Sequence, residues 1–96
     1  MDQSNHGVIR LRSDNLVWRQ VGNELMVLDT NSSEYLSVNK TGAVLWPLLL
    51  TGATRAELAQ ALAESFQIEL ATAATDAEKF VSSLEDLGLL EPHPAG

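Results

Sequence analysis

The sequence predicts a small α+β domain, in which a three-stranded antiparallel sheet is followed by three helices. Two observations support this order of elements. β-Branched and aromatic residues lie in short runs separated by turn residues between positions 16 and 38, whereas from position 44 onward apolar residues recur with a helical period. A chain of 96 residues, 45% of them apolar, fits one domain with a single hydrophobic core.

The strands are expected at residues 16–21, 24–29 and 34–38. Gly22-Asn23 joins the first two strands as a two-residue turn, which is the connection typical of a β-hairpin. The second strand is apolar on both of its faces. This pattern predicts a central strand that is covered on both sides.

The third predicted strand lies at an edge of the sheet if the strands pair in chain order. Its side chains alternate, with Leu36 and Val38 on one face and Tyr35 and Ser37 on the other. Natural edge strands are usually protected by lysine, proline or an inward charge, and none of these four residues is of that kind. We therefore expect an edge whose backbone N–H and C=O groups are open to a further strand.

The first helix is expected to begin after Asn39, whose side chain is a good N-cap, and to end at Gly52. Pro47 lies in the interior of this segment, where a proline costs roughly 3 kcal/mol. We therefore expect a kink or break near Trp46.

Capping signals mark the other two helices. Thr54 and Glu57 have the spacing of a capping box at the start of the second helix. The third helix is expected to start near Thr72 or Thr75, and Gly88 is expected to end it as a left-handed cap.

One domain is expected, over residues 15–91. Residues 1–14 are mostly polar and are expected to form a flexible N-terminal tail that contributes at most one short edge strand. Residues 92–96 are expected to form a loose C-terminal tail.

Charge and composition exclude several functions. The chain has 13 acidic and 6 basic side chains and a net charge of -7, so its surface should repel nucleic acid. The absence of cysteine excludes a disulfide, a cysteine nucleophile and thiolate metal ligands. The N-terminus lacks a secretory signal, and the longest apolar run, residues 43–50, is far shorter than the roughly 20 residues that span a bilayer. We expect a cytoplasmic protein with no membrane partner.

The sequence contains no catalytic or cofactor motif. His6 and His93 lie in opposite tails without carboxylates at ligand spacing, so we expect no metal site. Most carboxylates of the helices fall outside the apolar stripes and are interpreted as a solvated face. Trp18 and Trp46 are interpreted as packing residues rather than a ligand box. We expect a protein that needs no cofactor and is not an enzyme.

An ordered set of short motifs runs through the chain. The most specific are Val38-Asn39-x-Thr41-Gly42-Ala43-x-x-Trp46 and the closing Leu87-Gly88-Leu89. Over about residues 15–91 this set resembles the PqqD family, whose members recognise the leader segments of ribosomally made, modified peptides. Residues 48–54, which read Leu-Leu-Leu-Thr-Gly-Ala-Thr, are most similar to the discrete leader-binding proteins of lasso-peptide clusters. Pro47 departs from the commoner family pattern.

The resemblance implies a winged helix-turn-helix-like domain that binds a precursor's leader peptide as an added strand on the third strand, beside the third helix. Such a domain performs no chemistry and delivers the leader to a separate leader peptidase or other modifying enzyme. The alternative within the family is a peptide chaperone that serves a radical enzyme in pyrroloquinoline quinone biosynthesis. The implied binding residues are Tyr35, Leu36, Ser37 and Val38 on the strand and Asp76, Lys79, Phe80, Ser83, Leu84 and Leu87 on the helix.

Several of these residues also have a purely structural interpretation. Leu36, Val38 and Leu84 lie on inward-facing stripes, so they are core residues, the floor of the groove, or both. Lys79 either pairs with neighbouring carboxylates on the helix surface or contacts an acidic or polar group of the leader. Phe80 either packs against the second helix or supplies the apolar surface of a pocket.

Two other classes of function stay open. A winged-helix DNA-binding regulator has a similar order of elements, but residues 72–87 carry one lysine against four carboxylates, the wrong sign for a DNA groove. The other class is a homodimer that closes through the exposed sheet edge.

Overall fold

The structure, a computed structural model, describes residues 7–12 and 14–91. Within them, a meander of three strands is followed by three helices, which confirms the predicted α+β class. Two further strands of two residues each form a separate small sheet. In chain order the elements are β1 (Val8–Ile9), β2 (Leu16–Val21), β3 (Glu24–Asp29), β4 (Glu34–Val38), α1 (Lys40–Thr51), β5 (Ala53–Thr54), α2 (Arg55–Phe66) and α3 (Leu70–Asp86).

The main sheet is antiparallel, with the strand order β2-β3-β4. Gly22 has a φ of 63° at the turn between β2 and β3, a conformation in which a glycine costs little. Across the three strands, Val17, Leu28 and Tyr35 lie directly opposite one another. The three predicted strands thus have the predicted bounds and pair in chain order.

The two faces of the sheet differ. Leu25, Val27 and Val38 face the helices and are buried, whereas Met26 on the opposite face is 40% exposed. The prediction that the central strand is covered on both sides is therefore wrong. Helix α1 packs on the buried face of the sheet, and α2 and α3 pack against α1 and against each other. No described element covers the opposite face.

Helix α1 begins at the predicted cap, where the Asn39 side chain accepts a hydrogen bond from the Gly42 N–H at 3.1 Å. The helix then runs through Pro47 as one element, so the predicted break does not occur. Pro47 is exposed, while its neighbours Trp46 and Leu49 are buried. This burial holds the helix together on both sides of the missing backbone hydrogen bond.

The capping box of α2 is present as predicted, with Thr54 and Glu57 bonded to each other's backbone N–H groups. Helix α3 begins at Leu70, earlier than expected, and no side chain caps its first turn. At its other end Gly88 adopts a φ of 72°, and the Leu89 N–H donates to the Leu84 carbonyl at 3.0 Å. The left-handed cap is therefore confirmed.

The described part of the N-terminal segment belongs to the domain. Strand β1 pairs with β5, and Ile9 and Leu11 are buried in the core. The Leu11 N–H donates to the Leu49 carbonyl at 2.9 Å. A flexible tail was predicted for residues 1–14, but residues 7–12 are packed because their few apolar side chains reach a core built mainly by the helices. Residues 1–6, 13 and 92–96 lie outside the described residues, and so does the predicted C-terminal tail.

None of the helices in the described ranges combines the length and the apolar character that a membrane span requires.

Candidate functional site

Strand β4 forms one edge of the main sheet. It pairs with β3 on one side, and no strand of residues 7–12 or 14–91 pairs with its other side. The small sheet of β1 and β5 is separate from this edge. Within the described chain, the edge that the sequence predicts to be open is open.

The register along β3 shows which residues bond to which neighbouring strand. A two-residue turn makes Val21 and Glu24 a hydrogen-bonded pair. Because bonding alternates along an antiparallel strand, the even-numbered residues of β3 bond to β2 and the odd-numbered ones to β4. The bond from the Thr30 N–H to the Asn15 carbonyl, 2.9 Å long, continues this pattern beyond the strand.

The same alternation continues in β4. Leu36 and Val38 are opposite odd-numbered residues of β3, so their backbone N–H and C=O groups point toward β3. The N–H and C=O groups of Tyr35 and Ser37 therefore point away from β3, toward the free edge of the sheet. These two residues supply the donors and acceptors that an added strand would pair with.

Helix α3 forms the other wall of a groove along this edge, and two pockets mark the groove. One pocket lies near the start of β4, and the other lies near its end, beside the first turn of α1. The first is lined by Val27, Asp29, Glu34, Tyr35, Leu36, Leu87 and Leu89, and the second by Asn39, Thr41, Asp76, Lys79, Phe80 and Ser83.

The structure brings most of the ten predicted residues together. Seven of them line the two pockets: Tyr35, Leu36, Asp76, Lys79, Phe80, Ser83 and Leu87. Val38 and Leu84 do not line either pocket, because they are almost completely buried and support the groove from the core. Ser37 also lies outside both pockets, because its side chain points to the open face of the sheet while its backbone faces the edge.

Tyr35 and Leu87 are the most exposed apolar groups of this region. The side chain of Tyr35 is 72% exposed and that of Leu87 is 46% exposed. Leu87 follows Leu84 at a helical spacing of three residues, which predicts burial on the same side of α3. It lies instead at the end of the helix, where it faces the first pocket.

The first pocket is small and suits a side chain. Its volume is about 60 Å³, well below the roughly 300–1,000 Å³ of small-molecule sites. Val27, Leu36 and Leu89 give it an apolar lining, and Asp29 and Glu34 add carboxylates. This combination fits an apolar side chain within an extended peptide.

Asp29 is held in place by hydrogen bonds. Burial acts to raise the pKa of its carboxyl group, but the Asn31 backbone N–H and the Arg12 guanidinium outweigh this effect, so its pKa is lowered. Arg12 donates to the Asp29 carboxylate at 3.1 Å and to the Gly88 carbonyl at 3.0 Å. It thereby joins the end of β3 to the end of α3, beside the first pocket.

Sequence reasoning missed six residues of the groove. Strand alternation could have identified Glu34, which shares the inward face of Leu36, and the family motif contains Asn39, Thr41 and Leu89. No sequence pattern identifies Val27 and Asp29 as groove residues, because their place in the groove depends on how α3 lies beside the sheet.

The described residues were predicted to hold no metal site. Among residues 7–12 and 14–91 there is no cluster of three or more potential metal ligands, and His6 and His93 lie outside these ranges. Trp18 and Trp46 pack edge to face, with ring centroids 5.8 Å apart, and Trp46 is buried. Trp46 thus belongs to the core, and the more exposed Trp18 packs against it.

Comparisons with known proteins found one family and two solved structures that are similar to this chain. The family model described as Coenzyme PQQ synthesis protein D (PqqD) matches residues 24–90. The structure of lasso peptide synthetase B1 complexed with the leader peptide is similar to this chain, with a TM-score of 0.75 and 32% sequence identity over 88% of this chain and 98% of that one. The structure of TbiB1 in complex with the TbiA(beta) leader peptide has a TM-score of 0.76 at 23% identity, over 90% and 99% of the two chains. No curated protein matched.

Proposed function

Because the chain belongs to the PqqD family, we propose that it binds the leader segment of a ribosomally made precursor peptide and performs no chemistry itself. The leader adds to β4 as a fourth strand and its side chains enter the groove beside α3. The observation that carries this proposal is the free edge of β4, where the backbone groups of Tyr35 and Ser37 lack a strand partner among the described residues. A free strand edge with an adjacent apolar groove is the arrangement used in β-augmentation.

The ten predicted residues take four different roles in this proposal. Tyr35 and Ser37 provide the backbone ladder, and Leu36, Phe80 and Leu87 provide apolar contacts. Val38 and Leu84 form the floor, and the polar side chains of Asp76, Lys79 and Ser83 line the end of the groove near α1. A micromolar complex requires about 8 kcal/mol, which a short ladder with one or two apolar anchors can supply.

A lasso-type pathway is favoured over pyrroloquinoline quinone biosynthesis. The 32% identical relative is a lasso peptide synthetase B1 with a bound leader, and the match covers nearly all of both chains. In such a pathway the domain would meet a newly made precursor in the cytoplasm and deliver it to a separate leader peptidase.

DNA binding is not favoured by the structure. Helix α3 carries Lys79 against four carboxylates, and Arg55 of α2, which could offset them, already binds Glu78 at 2.7 Å. A duplex would meet a repulsive surface along this helix.

A titration of isotopically labelled protein with synthetic leader peptides tests the proposal. Amide shifts should cluster at residues 34–38 and 76–87. Shifts confined to α2 would rule out the groove, and DNA affinity that falls steeply with salt would support the regulator instead.

A further inference from the structure

Arg12 contacts the wall of the first pocket from outside the pocket. Its guanidinium donates from Nη2 to Oδ1 of Asp29 at 3.1 Å and from Nη1 to the Gly88 carbonyl at 3.0 Å. The Arg12 backbone N–H also donates to the Leu89 carbonyl at 2.8 Å. Because Arg12 does not line the pocket, it acts on a bound leader only through these neighbours.

The two carboxylates that line the first pocket differ in their exposure. Glu34 is exposed, so water and salt screen its charge. The side chain of Asp29 is only 13% exposed, and the rest of the lining is mainly apolar. An unpaired charge on Asp29 would therefore act strongly on any side chain that enters the pocket.

Arg12 neutralises this charge. A second carboxylate within ion-pair distance of its guanidinium, that of Asp14, lies 3.8 Å from Nε and is 71% exposed. Asp29 is both closer and more buried, so it forms the stronger of the two pairs. With this cation beside Asp29, an apolar side chain can enter the pocket without leaving a charge unpaired.

The same guanidinium fixes the width of the pocket. Asp29 ends β3, and Gly88 follows α3 with a φ of 72°. Leu87 and Leu89 flank this glycine, and both line the pocket. Because Arg12 bonds to Asp29 and to Gly88, it sets the distance between the sheet and the end of α3.

On the basis of the proposed function, we infer that Arg12 is a positioning residue that makes the first pocket select an apolar side chain of the leader over a basic one. Without Arg12, the Asp29 carboxylate would face the pocket unpaired. A lysine of the leader would then supply the missing cation, whereas a leucine would leave the carboxylate without one. Specificity is a difference between two affinities, and Arg12 changes the two in opposite directions.

Two synthetic leaders that differ at one position test this inference. The first is a leader that binds wild type, with leucine at the position whose side chain shows nuclear Overhauser contacts to the first pocket. The second carries lysine at that position. Calorimetric titration gives the ratio of the two affinities for wild type, Arg12→Gln and Arg12→Gln/Asp29→Asn. Arg10→Gln is the matched control, because Arg10 belongs to the same segment but pairs with Glu91, at 3.8 Å.

Wild type should bind the leucine leader at least about tenfold more tightly than the lysine leader, and Arg12→Gln should reduce this ratio by about tenfold. The double variant should regain the ratio of wild type, because no carboxylate is left to pair. Arg10→Gln should keep that ratio. A leader that places no side chain in the first pocket would overturn the inference.

A purely structural role for Arg12 predicts a different result. Arg12→Gln would then weaken both leaders by the same factor, and this unchanged ratio would overturn the inference. If Arg12→Gln does not fold, Arg12→Lys takes its place: it keeps a cation beside Asp29 and should keep the preference for leucine, and loss of that preference would be contrary evidence. If wild type binds no leader, the proposed function fails, whereas equal affinity for the two leaders contradicts only the role of Arg12.

Discussion

Gly42 of α1 lies directly against Phe80 of α3. A Cβ atom built on Gly42 would come within 2.6 Å of Phe80 Cε1 and 2.5 Å of Val38 Cγ1, closer than real side chains approach. The glycine thus lets the first turn of α1 pack against the aromatic ring that lines the second pocket. The position of this wall of the groove depends on a residue that does not line the groove.

Substitution Gly42→Ala should therefore destabilise the domain by about 1–3 kcal/mol, because Val38 is buried and Phe80 must move. Urea unfolding measures this change. Adding Phe80→Leu should restore part of the lost stability, because the smaller side chain makes room for the new methyl group. If Gly42→Ala lowers the free energy of unfolding equally with and without Phe80→Leu, the contact between Gly42 and Phe80 is contradicted.

Ser37→Pro tests the backbone ladder. The Ser37 N–H points to the free edge, so proline should preserve the pairing of β3 with β4 but weaken leader binding by at least about tenfold. Ser37→Thr keeps the N–H and should bind normally. Calorimetric titration measures both affinities, and full affinity of the proline variant would show that the peptide binds elsewhere.

Lys79 should contribute an exposed charge contact with the leader. No carboxylate of the described residues lies within ion-pair distance of its ammonium group. Lys79→Met should lower leader affinity by about two- to fivefold at low salt, and this difference should shrink at high salt. Lys79→Arg serves as the control. A loss that does not depend on salt would indicate packing by the aliphatic stem instead.

Acid should remove the contribution of Asp29 to stability. Its pKa in the folded protein is lowered from the ordinary value of 3.8, so the contribution is complete above that pH and is lost as the pH falls through the folded pKa. The stability difference between wild type and Asp29→Asn should therefore be largest near neutral pH and disappear in strong acid. Urea unfolding at several pH values checks this, with Asp14→Asn as a more exposed control for Arg12. A difference that grows in acid would contradict the assigned pKa direction.

The parts of the fold that local sequence signals define could be predicted. Gly22-Asn23 marked the hairpin, and Gly88 marked the end of α3. The start of α3 could not be predicted, because Glu69 precedes it without a side-chain cap. The packing of Ile9 and Leu11 was missed, since their partners are distant in the chain and two apolar residues show no period.

Part of the candidate site could also be predicted, because local sequence signals define it. Strand alternation and the family motifs gave the edge and most of the helix wall. The apolar run of β3 could not show whether one face or both faces of the sheet are covered, because apolar residues look alike in either case. Likewise, Leu87 followed the period of buried residues but lies beyond the helix, where that period no longer determines burial.

Amide hydrogen exchange, measured by NMR with and without saturating leader peptide, tests the central claim most directly. The amides of Leu36 and Val38 already bond to β3 and should be protected in both states. Those of Tyr35 and Ser37 should exchange quickly in the free protein and become protected when the leader binds. Unchanged exchange at Tyr35 and Ser37 in a leader-saturated sample would contradict strand addition at this edge.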